Sequence, residues 1–157
     1  MHAKVEEALR KNPVKYTIHR HDAFSAPIHS PADFAAALGY DLGRITKTLL
    51  VRSIAGDMHA LVVAPMGKKV DFHGVAGLLT VKRIEVASGT DLISLTGYPE
   101  KGVSPLGVTN LRILMDQRLF DFPTILIGAG EAGVEIEIKP VDLAGITGAV
   151  RAPLAVG

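Results

Sequence analysis

Two β-rich runs, Ile45 to Ile54 and Met58 to Ala64, are separated only by Ala55-Gly56-Asp57. So short a turn between such runs specifies a hairpin, and a hairpin brings antiparallel pairing into the middle of the chain. The flanking segments do not alternate strand with helix in the regular way a parallel, doubly wound sheet requires. Val5, Ala8 and Leu9 recur at helical spacing until Asn12-Pro13, and residues 14–19 then read as a strand. Ser30-Pro31 is an N-cap followed by proline at the first helical position, and Gly39 is the stop. Asp71 is expected to cap a helix running to about Leu79, and Thr90-Asp91 to open another that Gly97 ends. Residues 83–87 and 111–115 read as strands. The pair 124–128 and 134–138 flanks the turn Gly128-Ala129-Gly130-Glu131-Ala132-Gly133, and Pro140 to Ile146 closes the series as a helix. The fold class expected is α+β: a mixed, largely antiparallel sheet curled around a pocket, with flanking helices. Residues 1–150 are expected to form a single domain and 151–157 a loose tail.

Hydrophobic residues make up 48% of the 157, yet aromatic ones only 5% with no Trp, so the core must be aliphatic. No apolar run approaches the roughly 20 residues that cross a bilayer. The start, Met1-His2-Ala3-Lys4-Val5-Glu6-Glu7, is too polar for a signal peptide. With no cysteine there is neither a disulfide framework nor a thiolate nucleophile. A cytoplasmic protein with no membrane partner and no cofactor is expected. The net charge of +1 argues against coating nucleic acid by bulk charge and leaves room for a local basic pocket.

Lys47 is the most informative single residue. Side chains alternate along a strand, so Ile45, Lys47, Leu49 and Val51 share one face, which places an ammonium on an apolar surface. Such a lysine either snorkels from a sheet edge or meets an anionic group or developing oxyanion in a pocket. The turn from Gly128 to Gly133 is either a generous hairpin loop or a nest of converging N–H groups. The stretch LTGYPEKGVSPLG, residues 95–107, carries glycines at 97, 102 and 107 and two prolines. Glycine permits positive φ while proline stiffens, so this is a rigid loop of the kind that lines sites. His19 and His21 fall on one strand face, but no third ligand stands at a familiar metal-site spacing, and no metal is expected. There is no G-x-S-x-G elbow, and Ser104 has no histidine near it in sequence.

Three segments occur in order: Ile45-Thr46-Lys47-Thr48-Leu49-Leu50-Val51; Thr96-Gly97-Tyr98 with Gly102-Val103-Ser104-Pro105-Leu106-Gly107; and Gly128-Ala129-Gly130 with Gly133-Val134-Glu135. Together they resemble the YbaK/ProX family, free-standing relatives of the editing domain of bacterial prolyl-tRNA synthetase. The resemblance runs from about residue 4 to 148. It implies a trans-editing aminoacyl-tRNA deacylase that hydrolyses the ester of mischarged tRNA, typically tRNA(Pro) bearing a small wrong amino acid, without a covalent Ser or Cys nucleophile. It implies the tRNA acceptor end as partner, with prolyl-tRNA synthetase as a second candidate. By the same resemblance Lys47 is the catalytic lysine and Thr48 the hydroxyl beside it. Gly97, Lys101, Gly102, Pro105, Gly128, Gly130 and Glu135 are the substrate-binding positions. The chain departs from the family in having Lys101 before Gly102, where the family has glycine, and Gly128 where cysteine-editing members have serine. Those departures motivate a rival expectation, a non-catalytic module that binds a tRNA end or a nucleotide beside a synthetase.

Overall fold

A computed structural model describes all residues, 1–157. Helix α1 (Ala3–Lys11) buries Val5 and Leu9 and leads into strand β1 (Tyr16–Arg20). Helix α2 (Pro31–Leu38) is built as its end signals demand. Ser30 Oγ accepts from Asp33 N at 3.1 Å, Asp33 Oδ2 accepts from His29 N at 2.9 Å, and Gly39 ends the helix at φ 70°. The hairpin follows as β2 (Thr46–Ser53) and β3 (His59–Pro65), paired antiparallel from Thr46↔Pro65 to Arg52↔His59. Next come β4 (Lys69–Val70), α3 (Phe72–Leu79) capped by Asp71, β5 (Ile84–Val86) and α4 (Gly89–Thr96). Helix α4 begins slightly earlier than Thr90, because Ser88 Oγ accepts from Asp91 N and is the true N-cap. The chain finishes with β6 (Arg112–Asp116), β7 (Ile125–Gly128), β8 (Val134–Ile138), α5 (Pro140–Thr147), β9 (Val150–Ala152) and β10 (Ala155–Val156).

The fold is mixed α+β. Its strands form a five-stranded sheet ordered β5-β2-β3-β6-β9, a three-stranded sheet β1-β8-β7, and a β10-β4 ribbon. The β3–β6 and β6–β9 pairs are parallel and the remaining pairs antiparallel. The two larger sheets meet at a bridge between Ile45 and Leu126, reinforced by the buried Thr46 hydroxyl donating to Leu126 O at 2.7 Å. The main core is aliphatic apart from Tyr98: it gathers Leu50, Leu61, Ile113, Ile127 and Ile136 with α1 and α5. A second cluster, including Val51, Val62 and Leu114, packs beneath α3. A third, Phe34, Ala35, Ile45 and Leu126, fastens α2 over the seam between the sheets.

The last residues are not the loose tail expected. Strand β9 pairs with β6, β10 pairs with β4, and Leu154 is fully buried. The buried carboxylate of Asp116 holds this segment, accepting from Leu154 N at 2.8 Å and Ala155 N at 3.1 Å. A buried backbone amide must find an acceptor, and here a side chain supplies it where no ladder reaches.

Candidate active site

At the seam between the sheets lies a cleft of about 520 Å³, within the usual size of a small-ligand site. Its floor is Ile45 and the start of β2, with Lys47 and Thr48. One wall comes from residues 100–103, another from 128–135, and His29-Ser30-Pro31 at the head of α2 close the third side.

Lys47 stands half-buried on β2 between two apolar clusters, with Ile45 on one side and Val51 farther along the strand. Its Nζ donates to Lys68 O at 2.6 Å. An ammonium has three donors, so this bond aims the group while leaving donor capacity for a ligand. Lys68 directly precedes β4, and β4 is held by β10; in addition, Lys68 Nζ and Arg118 Nη1 both donate to Gly157 O. The C-terminal strand therefore fixes the carbonyl that fixes Lys47.

The two glycine segments interlock. Gly102 has φ 101°, and a Cβ there would sit 2.5 Å from the carbonyl carbon and oxygen of Glu131. A Cβ on Gly128 would collide with the carbonyl oxygen of Val103, and Gly130 N donates to Gly102 O at 2.7 Å. Tyr98 organises the first loop from inside: it is fully buried, and its hydroxyl donates to Leu106 O. Burial raises its pKa to about 12, so it remains a neutral donor. At the other end of the second loop, the Met1 ammonium donates to Glu131 Oε2 at 2.8 Å and lowers the pKa of that carboxyl. With exposed Lys101 lining the cleft alongside Glu100 and Glu131, the rim carries both signs of charge.

Of the residues singled out from sequence, Lys47, Thr48, Lys101, Gly102, Gly128 and Glu135 line this cleft. Gly97, Pro105 and Gly130 do not, and their expected place in the pocket is corrected. Gly97 caps the end of α4 at φ 78° beside the Lys4 side chain. Pro105 is buried and faces a separate hollow against α1 and α5. Gly130 is packed under His2 and Tyr98, where a Cβ has no room. All three shape the loops from behind, because a tight loop needs glycine and proline on its packed side as much as on its open side.

His19 on β1 and His21, the first residue past its end, have partners that sequence reading did not find. His21 Nε2 lies 2.6 Å from Glu135 Oε2, and His19 Nε2 lies 2.8 Å from Glu137 Oε1. Burial raises the pKa of Glu135, partly opposed by its bond to His21. Burial also pushes Glu137 upward, but hydrogen bonds from Thr124, Tyr40 and His19 outweigh it and hold that carboxyl below the ordinary range. Tyr40, donating to Glu137 at 2.8 Å, is raised in turn. His21 and Glu135 both line the cleft. A signal for them existed, since His19/His21 and Glu135/Glu137 are spaced two apart on segments that read as strands. Which strand pairs with which was the missing link.

Comparison with known proteins agrees with this architecture. A protein of Enterococcus faecalis assigned as the Cys-tRNA(Pro)/Cys-tRNA(Cys) deacylase EbsC is 29% identical over 127 residues, 80% of this chain and 76% of that protein. The proline–tRNA ligase of Lactobacillus helveticus is 28% identical over 100 residues, 63% of this chain but only 17% of the ligase. The crystal structure of a hypothetical protein superposes with a TM-score of 0.84 at 29% identity, covering 98% of this chain and 99% of that one. A structure described as a trans-editing enzyme for prolyl-tRNA synthetase also gives 0.84, at 24% identity, over 98% and 96% of the two chains. The model of the aminoacyl-tRNA editing domain matches residues 25–146, a span that takes in the cleft from His29 to Glu135, and the chain belongs to that family.

Proposed function

We propose that the cleft hydrolyses the ester of mischarged tRNA in trans, with tRNA(Pro) carrying a small wrong amino acid as substrate and Lys47 as the group that stabilises the oxyanion. The observation that carries this is an aimed ammonium on the floor of a cleft in an aminoacyl-tRNA editing domain. An aminoacyl ester is already activated, so the protein needs mainly to orient its carbonyl and to balance the negative charge that develops on it. Lys47 does this without a covalent nucleophile. The chain has no cysteine, and Ser104 is fully buried with its hydroxyl accepting from Leu106 N. Thr48 stands beside Lys47, and the glycine walls let backbone come close to the terminal adenosine. A pocket tells small side chains apart by only about 1–3 kcal/mol per methylene, which is why a second, editing site is useful at all. The likeness to proline–tRNA ligase and to a deacylase of Cys-tRNA(Pro) supports tRNA(Pro), and prolyl-tRNA synthetase as the enzyme whose errors are corrected.

Turnover tests the reading. tRNA(Pro) charged with Ala, Cys, Ser or Thr is incubated with the wild-type protein and with Lys47→Ala. Loss of one charged species with wild type, and a drop of about 10²–10³-fold in kcat with the variant, is expected. A folded Lys47→Ala protein with full activity removes Lys47 from the mechanism. Binding of the acceptor end with no turnover of any ester would instead identify a non-catalytic module.

A further inference from the structure

We propose that His21 is the general base of this cleft, activating the attacking water, with Glu135 as the residue that positions it; the assignment rests on the deacylase reading above. Glu135 Oε2 engages Nε2 of His21 at 2.6 Å, and Nδ1 has no protein partner. The His21 side chain is 29% exposed, and the residue lines the cleft. With Nε2–H donated to the carboxylate, the free lone pair sits on Nδ1. Phe34 of α2 packs against the ring, with centroids 4.7 Å apart. An oriented imidazole backed by a carboxylate is the arrangement that proton abstraction requires.

The step balances as follows. Nδ1 takes one proton from water as the oxygen bonds to the ester carbonyl carbon, and the carbonyl electron pair moves to an oxyanion near Lys47. Collapse of that intermediate breaks the bond to the ribose oxygen, which takes up the proton from Nδ1. The products are the free amino acid and tRNA with its hydroxyl restored. Burial, which favours the protonated form of Glu135, also makes its carboxylate a stronger acceptor for the imidazolium that forms in passing.

Other charged groups face the same space and must be separated from His21 in a pH profile. These are Glu131 beside β8, His29 ahead of α2, Lys47 on β2, and Glu100 and Lys101 in the loop. His19 acts on Glu135 through its charge. The test therefore uses Ala-tRNA(Pro), whose side chain carries no nucleophile, and compares wild type, His21→Ala, His21→Gln and Glu135→Gln. His21→Ala is expected to lower kcat by about 10²–10⁴-fold, with partial, concentration-dependent restoration by added imidazole. His21→Gln keeps an amide donor for Glu135 and so preserves stability, but it is expected to be as slow as the alanine variant and to lose the acidic limb of the kcat profile. Glu135→Gln is expected to slow turnover and displace that limb. Wild-type kcat in His21→Gln would overturn the assignment, because only the hydrogen bond would then matter. Turnover of Cys-tRNA(Pro) alone would also overturn it, since the substrate thiol would be the attacking group. If wild type turns over no ester at all, the deacylase reading falls and takes this assignment with it.

Discussion

Replacing Gly102 with alanine places a methyl group 2.5 Å from the carbonyl carbon and oxygen of Glu131, where carbon contacts are most favourable at about 3.5 Å. The two loops must therefore separate by about 1 Å. Overpacking of this kind costs about 1–3 kcal/mol. A Cβ on backbone at φ 101° adds about 1–2 kcal/mol. The sum, about 2–5 kcal/mol, is a large part of a typical domain stability of about 5–15 kcal/mol, yet it leaves a folded protein to assay. The interlock with Glu131 adds a stability cost that sequence alone does not reveal. A displacement of about 1 Å in the pocket wall is expected to lower turnover by about 10²-fold. Urea unfolding gives the stability change and single-turnover deacylation gives the rate. Gly148→Ala is the control: its φ is 67°, but nothing lies within 4 Å of a Cβ there, so only the backbone strain applies. Equal stability losses in the two variants would refute the interlock. A destabilised Gly102→Ala protein with wild-type turnover would refute the idea that the interlock shapes the site.

Lys101 is exposed at the rim, so Lys101→Gly is expected to raise KM about two- to fivefold at low salt, with kcat unchanged and the difference fading at high salt. Equal KM values at both ionic strengths would show a solvated lysine with no role. Glu137, held below its ordinary pKa, contributes stability that is present above about 4.5 and is lost as pH falls through its folded value. Glu137→Gln should therefore lose about 2 kcal/mol at pH 7 and show a flatter acid limb in thermal melts; a variant that tracks wild type through that range would contradict it. Asp116 is 1% exposed and accepts from Arg118, Leu154 and Ala155 backbone amides, so Asp116→Ala should cost about 3 kcal/mol. Because the segment it clamps supports the carbonyl that aims Lys47, kcat should also fall; an unchanged kcat in the folded variant would uncouple the two.

Much of this protein was decided locally and could be read along the chain. The cap at Ser30, the stop at Gly39, the hairpin around Gly56 and the turn from Gly128 to Gly133 each depend on residues within a few positions of one another. Local steric preference and local hydrogen bonding are properties of short segments, so sequence determines them. The placement of Lys47 on an apolar strand face follows in the same way from strand alternation.

Other features depend on contacts between distant segments. Strands β4 and β10 are two residues each and carry no periodic signal; they exist because they find one another from opposite ends of a long stretch of chain, pairing Val70 with Ala155 and Lys69 with Val156. The parallel pairing of β3 with β6 follows from how the two clusters of apolar side chains pack, which local propensity does not encode. Gly97, Pro105 and Gly130 were indistinguishable along the chain from the glycines that line the cleft, since both sides of a tight loop select the same residue types. The dyad of His21 and Glu135 joins residues 114 positions apart. Its members are visible in the sequence as two pairs at strand spacing, but only the β1–β8 register puts an imidazole against a carboxylate. A single side chain's chemistry is written in the chain, whereas the neighbour that orients it is chosen by the fold.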